Sequence, residues 1–281
     1  MRKVKLYNGL DMPQFGLGTF LVKSGESAYD TVKYALALGY RHIDTAQMYG
    51  NEASIGQAIK DSGIKREDIW ITTKQARHMN LDHMKEAFES SLDKLQTDYV
   101  DLYLIHWPNH QKSINQQTWS YFETLYKEGK CKAIGISNFQ IHMIKDLMET
   151  ASVKPMVNQV ELHPGLTQEP LQKYLEQQEI QIESYGPFMK GGIFEGKYVE
   201  TLSAIAHNHQ ASIAQVVIAW GLQRGIVMIP KSVTPKRIKE NYDAQFIKLT
   251  SEEITVINDL NRGNRVYTDP DNSPWGAYID D

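Results

Sequence analysis

The feature that most limits what this chain can fold into is a nearly regular alternation of short β-type runs with stretches of helical periodicity, sustained from Gly16 to Leu260. β-Type runs stand at 16–19, 40–44, 69–73, 100–105, 132–136, 156–160, 180–184 and 225–230. Between them, apolar residues recur at helical spacing. Ala28, Val32, Ala35 and Leu36 mark a helix over 26–38, with Gly39 at the position that ends helices in a left-handed turn. Met84, Phe88, Leu92 and Leu95 mark another, and further helices are expected over 52–62, 115–128, 140–150, 168–178, 198–208 and 212–223. Ser212 with Gln215, and Thr250 with Glu253, match the capping box that opens a helix, the second ahead of a final helix at 251–260. About eight strands, each followed by a helix, over 281 residues predict an α/β fold of the TIM (β/α)8 barrel type. Residues 3–13, with the Asn8-Gly9 turn signal, read as an N-terminal hairpin covering the barrel floor, and Asn261–Asp281 as a short C-terminal tail. No Ser-, Gly- or Pro-rich linker breaks the series, so one barrel domain is expected over residues 1–281. Gly16 and Gly18 are followed by Leu21, which breaks a Gly-x-Gly-x-x-Gly fingerprint and disfavours a Rossmann domain.

Composition narrows the partners. A formal net charge of −4 leaves no basic excess for a phosphate backbone, so no nucleic-acid partner is expected. The start of the chain, Met1-Arg2-Lys3-Val4-Lys5-Leu6, has no apolar core of a leader, and no run approaches the roughly 18 apolar residues of a membrane span. The single cysteine, Cys131, lies in an apolar run and reads as a small buried hydrophobe in a reducing compartment. A cytoplasmic monomer without membrane attachment is the expectation.

In a parallel barrel the C-terminal strand ends share one face, where active sites are built. Here those ends are polar: Asp44, Lys74, His106, Ser137 with Asn138, Asn158 with Gln159, Tyr185, and Lys231 with Ser232. Each has a bland reading, an Asp as helix cap, a His as satisfied core residue, or a Lys neutralising Asp44. Their joint placement favours a site. A free phenol titrates near ~10, so Tyr49, just beyond the Asp44 strand, needs a neighbouring cation to give up a proton near neutrality, and Lys74 is the candidate. A metal-dependent hydrolase is disfavoured, because no His-x-His pair ends a strand and His42 with Asp44 lacks a third neighbour; no metal is expected.

The order of motifs adds a resemblance. Gly18-Thr19-Phe20, the run Arg41 to Glu52, Thr73-Lys74, the run Asp101 to Pro108, Gly135-Ile136-Ser137-Asn138-Phe139, Asn158 to Pro164, and Ile229 to Pro235 with Arg237, Glu240 and Asn241 together resemble the aldo-keto reductases, in the compact form found in bacteria. The resemblance spans Gly16 to Asn241. It implies reduction of a small-molecule carbonyl with NADPH, in which Tyr49 protonates the developing alkoxide, Lys74 paired to Asp44 lowers the Tyr49 pKa, and His106 orients the carbonyl oxygen. It also implies a cofactor site formed by Gly18, Thr19, Ser137, Asn138, Gln159, Tyr185, Lys231, Ser232, Val233, Thr234, Arg237, Glu240 and Asn241. Of these, Ser137, Asn138 and Gln159 would fix the nicotinamide carboxamide and Tyr185 would stack on its ring. Lys231, Ser232 and Arg237 flank a helix start at Thr234-Pro235, a combination that suits a 2′-phosphate. Phe20, Met48, Trp107 and Trp275 would line the substrate pocket. Departures from the family pattern are Phe20 where Trp is frequent, Gln75-Ala76-Arg77 after Lys74, and a short segment over 186–192, which implies a reduced pyrophosphate clasp. A nucleotide-binding redox sensor on the same fold is the alternative, to which the intact set of Asp44, Tyr49, Lys74 and His106 is the counter-argument.

Overall fold

The computed structural model describes residues 2–76, 81–273 and 276–277, with no side-chain account of residues 81, 276 and 277. The chain opens with β1 (Lys3–Lys5) and β2 (Asp11–Pro13), an antiparallel hairpin, followed by β3 (Leu17–Gly18) and α1 (Glu26–Leu38). Then come β4 (His42–Asp44), α2 (Glu52–Asp61), β5 (Trp70–Gln75), α3 (Leu81–Leu95), β6 (Val100–Ile105), α4 (Lys112–Lys127), β7 (Cys131–Ser137) and α5 (Ile141–Met148). The second half runs through β8 (Val157–Glu161), α6 (Glu169–Gln177), β9 (Gln181–Tyr185), α7 (Gly196–Asn208), α8 (Ile213–Gln223), β10 (Val227–Met228), α9 (Pro235–Asp243) and α10 (Ser251–Asn258). A small antiparallel pair, β11 (Asn272–Ser273) and β12 (Gly276–Ala277), follows in the tail.

Strands β3 to β10 pair in chain order, each parallel to the next. The first and last then meet. Gly16 N–H donates to the Met228 carbonyl at 2.9 Å, Met228 N–H to the Gln14 carbonyl at 3.0 Å, and Gly18 N–H to the Pro230 carbonyl at 3.3 Å, which closes the barrel. Gly18 is required for this closure, because a Cβ there would lie 2.6 Å from the Ile229 carbonyl oxygen. Both capping boxes expected from sequence, at Ser212 and Thr250, are formed. The strand expected over 40–44 is confined to 42–44, since the Tyr40 N–H still donates to the Ala35 carbonyl at the end of α1, at 3.0 Å.

Strand periodicity divides two cores. Outward side chains such as Ile43, Ile71, Tyr103, Ile105, Ile134, Ile136 and Ile182 pack beneath the helices. Inward ones at the floor, Trp70, Leu102, Ala133, Val157 and Val227, form a second apolar cluster with Leu6 and Met12 of the hairpin. The hairpin therefore seals the floor, while the inward positions further along the strands turn polar: His42, Asp44, Thr72, Lys74, Gln159 and Glu183 are all buried.

The approach of α2 to the end of α3 depends on Gly56. A Cβ on Gly56 of α2 would come within 2.7 Å of the Leu95 backbone at the end of α3, and backbone cannot step aside as a flexible side chain can. Gly56→Ala is expected to destabilise the fold by about 1–3 kcal/mol through overpacking, read as a lower melting temperature. An unchanged melting temperature would contradict this packing.

Candidate active site

The polar ends of the central strands meet at the C-terminal mouth. Parallel register places β4 beside β5, so Asp44, on the inward face of β4, lies next to Lys74 on the inward face of β5. Lys74 Nζ donates to Asp44 Oδ1 at 2.6 Å and to the Thr45 carbonyl at 2.9 Å, and it lies 3.4 Å from the Tyr49 hydroxyl. Gln159 Nε2, from β8, donates to Asp44 Oδ2 at 2.8 Å. His106, just past β6, meets Tyr49 edge to face with ring centroids 5.6 Å apart, and Phe20 flanks the other side of the phenol at 5.1 Å. The four residues expected to act together, Asp44, Tyr49, Lys74 and His106, are thus gathered in one place.

Local contacts fix Tyr49 in position. It ends a 3-10 turn over Gln47–Tyr49, stopped by Gly50 in the left-handed region at φ 66°. Gln47 Nε2 donates to the Tyr103 hydroxyl at 3.0 Å and Gln47 Oε1 accepts from Ala76 N–H at 2.8 Å, tying the turn to strands β5 and β6. Asn51 links three loops: its Oδ1 accepts from the Thr45 hydroxyl at 2.7 Å and its Nδ2 donates to the Thr19 and Val22 carbonyls at 3.0 and 3.1 Å. Both residues lie in or beside the quoted motif, yet nothing in their type separates such a brace from an ordinary loop amide.

Electrostatics at Tyr49 differ from the sequence expectation. Burial raises the phenol above its ordinary value, and Lys74 pulls it down without reversing that direction. Burial also opposes the Lys74 charge, but Asp44 and the phenol outweigh it and hold the ammonium above its usual range. The cation is therefore firmly protonated, and it lessens the rise at Tyr49 instead of lowering the phenol outright.

The residues expected around a nicotinamide are close together but partly engaged with one another. Ser137 Oγ donates to the Gln159 carbonyl at 2.8 Å. Asn138 Nδ2 donates to the His106 carbonyl at 3.0 Å and to Ser137 Oγ at 3.2 Å, while Asn138 Oδ1 accepts from the Tyr185 hydroxyl at 2.7 Å. The Asn138 side chain, expected from sequence to help fix the nicotinamide carboxamide, makes these bonds within the protein. Thr19 is likewise turned inward, donating its hydroxyl to the Asp44 carbonyl at 2.8 Å, and Gly18 serves barrel closure. Tyr185 keeps part of its ring open beside Tyr267, whose centroid lies 5.2 Å away. Tyr267 belongs to the aromatic tail expected to cross the mouth, though it was not among the individual site residues that the sequence singled out. Its place is set by Glu161, which accepts from Val266 N–H at 2.6 Å and Tyr267 N–H at 3.2 Å, and by Gly186, where a Cβ would lie 2.5 Å from the Tyr267 ring. The short loop after β9 is held to the same tail by Lys190 Nζ, which donates to the Val266 carbonyl at 2.8 Å.

A second polar cluster follows β10. α9 starts at Pro235 with Thr234 as its cap residue, and the cap side chain makes no hydrogen bond to the helix. Its first amides therefore face outward beside Ser232, exposed Lys231 and exposed Arg237, and among the described residues neither cation has an ion-pair partner. Unpaired cations around uncapped amides suit a phosphate monoester. Val233 is exposed nearby, whereas Asn241 is a buried residue of α9 and Glu240 offers its carbonyl to Gln215 Nε2 at 3.0 Å. At the mouth, Phe20 and Met48 are 47% and 54% exposed, apolar surface left open around Tyr49. Trp107 follows His106 and is half-buried, while Trp275 lies outside the described residues.

Comparison with known proteins agrees with this arrangement. A Bacillus subtilis (strain 168) protein named glyoxal reductase is 48% identical over 269 residues, covering 95% of this chain and 96% of its own. The crystal structure of MGS-M4, an aldo-keto reductase from a Medee basin deep-sea metagenome library, superposes with a TM-score of 0.92 at 45% identity, covering 96% of this chain and 98% of that one. A mutant of Gox0644 solved in complex with NADPH has a TM-score of 0.87 at 36% identity, covering 96% of this chain and 97% of that one. The model of the aldo/keto reductase family matches residues 14–262, most of the barrel just described, and the chain belongs to that family.

Proposed function

We propose that this chain reduces small aldehydes of the dicarbonyl class, glyoxal among them, with Tyr49 as the proton donor. The reaction class is NADPH-dependent reduction of aldehydes or ketones to alcohols. Bound NADPH supplies the hydride. The Lys74 ammonium, 2.6 Å from Asp44 and 3.4 Å from the Tyr49 hydroxyl, is the observation that carries the role given to Tyr49. As the carbonyl carbon takes up hydride, its oxygen gains negative charge and accepts the Tyr49 proton, and the phenolate left behind faces Lys74. His106, edge-on to Tyr49, orients the carbonyl oxygen between two donors. Asp44 keeps Lys74 charged and in place.

The residues present fit the nucleotide. Lys231 and Arg237 have no acidic partner among the described residues and flank the uncapped start of α9, where they would hold the 2′-phosphate. Gln159 and Tyr185 would take the nicotinamide end. Small dicarbonyl aldehydes suit the mouth, where Phe20 and Met48 offer limited apolar surface beside Tyr49, and the relative named glyoxal reductase supports the same class. The reading extends to one catalytic domain acting as a monomer in the cytoplasm, where the buried thiol of Cys131 suits a reducing setting.

Tyr49→Phe is expected to lower kcat for NADPH-dependent glyoxal reduction by about 10²-fold or more, the usual scale for losing a general acid. NADPH affinity, followed by nucleotide fluorescence, should stay within a few-fold of wild type. A variant keeping most of its turnover would remove Tyr49 from its role. Arg237→Met is expected to weaken NADPH by about tenfold or more, equivalent to roughly 1.4 kcal/mol, while leaving NADH nearly unchanged. Equal weakening of both nucleotides would contradict the 2′-phosphate assignment.

A further inference from the structure

Deeper in the barrel than Asp44 lies a second carboxyl group to which the proposed reaction gives no part. Glu183 sits on the inward face of β9, with 0% of its surface exposed. Gln159 Nε2, the amide nitrogen that donates to Asp44 Oδ2 at 2.8 Å, also donates to Glu183 Oε2 at 3.0 Å. One amide nitrogen thus bridges two buried carboxyls. The charged and titratable groups facing Glu183 are Asp44 and His42 from β4 and Lys74 from β5. His42 Nε2 lies 3.7 Å from Glu183 Oε1 and 3.1 Å from the Thr72 hydroxyl.

Charge counting decides the state of this group. Lys74 contacts Asp44 directly and balances it, so a second ionised carboxylate in the same closed interior would have no counter-charge. His42 does not supply one, because burial lowers it to about 3 and keeps it neutral. Burial, reinforced by the Asp44 charge, raises Glu183 to about 8. Burial raises Asp44 as well, but the Lys74 ammonium in contact with it opposes that rise, so of the two carboxyls Asp44 is the one that carries the charge and Glu183 the one that keeps the proton.

We propose that Glu183 is a positioning residue for the reaction: as a neutral acid it anchors the Gln159 amide, which in turn holds the Asp44 carboxylate against Lys74 beneath the Tyr49 phenol. The inference rests on Asp44, Lys74 and Tyr49 being the working set. Its consequence is an alkaline limit on reduction. Once Glu183 ionises, a second negative charge raises the hold on the Lys74 proton and makes Tyr49 a weaker acid, so proton donation slows.

The test compares Glu183→Gln and Glu183→Leu with wild type in glyoxal reduction by NADPH across pH. Glu183→Gln keeps an acceptor for Gln159 and cannot ionise. It should hold kcat within about threefold of wild type near pH 6 and move the alkaline limb upward by about a unit or more. Glu183→Leu removes the acceptor and should lose about tenfold in kcat across the whole range, the effect of a displaced catalytic set. An alkaline limb in Glu183→Gln identical to that of wild type would overturn the proposal, whether or not Glu183→Leu folds. So would wild-type turnover in a folded Glu183→Leu.

A measurement without substrate or nucleotide gives a second readout. The folded chain holds a proton on Glu183 that the unfolded chain releases near its ordinary value of about 4.5, so this group's contribution to stability is complete below that value and is lost as pH rises toward about 8. The fall in melting temperature over that interval should be shallower in Glu183→Gln; an unchanged slope counts against a buried neutral acid. If wild type reduces glyoxal and Tyr49→Phe does not, while both Glu183 variants behave as wild type, only the role of Glu183 fails. If wild type shows no NADPH-dependent reduction of any aldehyde, the reading of the whole site fails.

Discussion

An ammonium buried in the middle of a protein has to be matched by a carboxylate at contact distance, and here Lys74 and Asp44 meet at 2.6 Å with 0% and 3% of their side chains exposed. Removing both charges from water opposes folding, so a buried pair contributes little to stability, while the loss of one partner leaves an uncompensated charge. What the pair supplies is placement. Lys74 can lie next to the Tyr49 hydroxyl because Asp44 fixes it from one side and the Thr45 carbonyl from another. Thr19, Gln47, Asn51 and Asn138 then restrain the loops and strand ends around it, each by hydrogen bonds to backbone or to another such side chain.

The barrel makes this placement possible by separating two kinds of interior. At the floor, the hairpin residues Leu6 and Met12 join Trp70, Leu102, Val157 and Val227 in an apolar plug that keeps water out from below. Above it the inward positions become polar, and each step along the strand axis brings a hydrogen-bonded group nearer the mouth: His42 with Thr72, Glu183 with Gln159, Gln159 with Asp44, Asp44 with Lys74. Glu183, remote from the mouth, is thereby linked through Gln159 and Asp44 to the Lys74 ammonium beside the Tyr49 phenol.

Much of this was legible in the sequence, for identifiable reasons. Two periodicities, 3.6 for the helices and 2 for the strands, carry the order of elements, and parallel pairing in chain order follows from their alternation. That Asp44, Lys74 and His106 share a face follows once each is placed at a strand end. What stayed hidden depends on distances between residues far apart in the chain. The glycine at 18 could serve a ligand or a neighbouring strand, and its part in strand closure becomes visible only in the approach of the Ile229 carbonyl. Asn138 has the donors and acceptors of a ligand-binding amide, but the Tyr185 hydroxyl and the His106 carbonyl engage it. Tyr267, more than eighty residues beyond Tyr185, reaches the site through backbone hydrogen bonds to Glu161, which carry no residue signature. Glu183 is the charged residue of the strand Gln181–Tyr185, but nothing in its type shows that its partner is Gln159 on the neighbouring strand.

The action of the Lys74 charge on the Tyr49 phenol is read directly from the ionisation of Tyr49. With tyrosine labelled at the ζ carbon, and Tyr49→Phe used to assign the resonance, the titration of this one phenol can be followed by NMR in wild type and in Lys74→Met. Tyr49 should titrate at a higher pH in Lys74→Met, because the neighbouring cation that offsets burial is gone. A Tyr49 titration that is unchanged, or shifted downward, would contradict it.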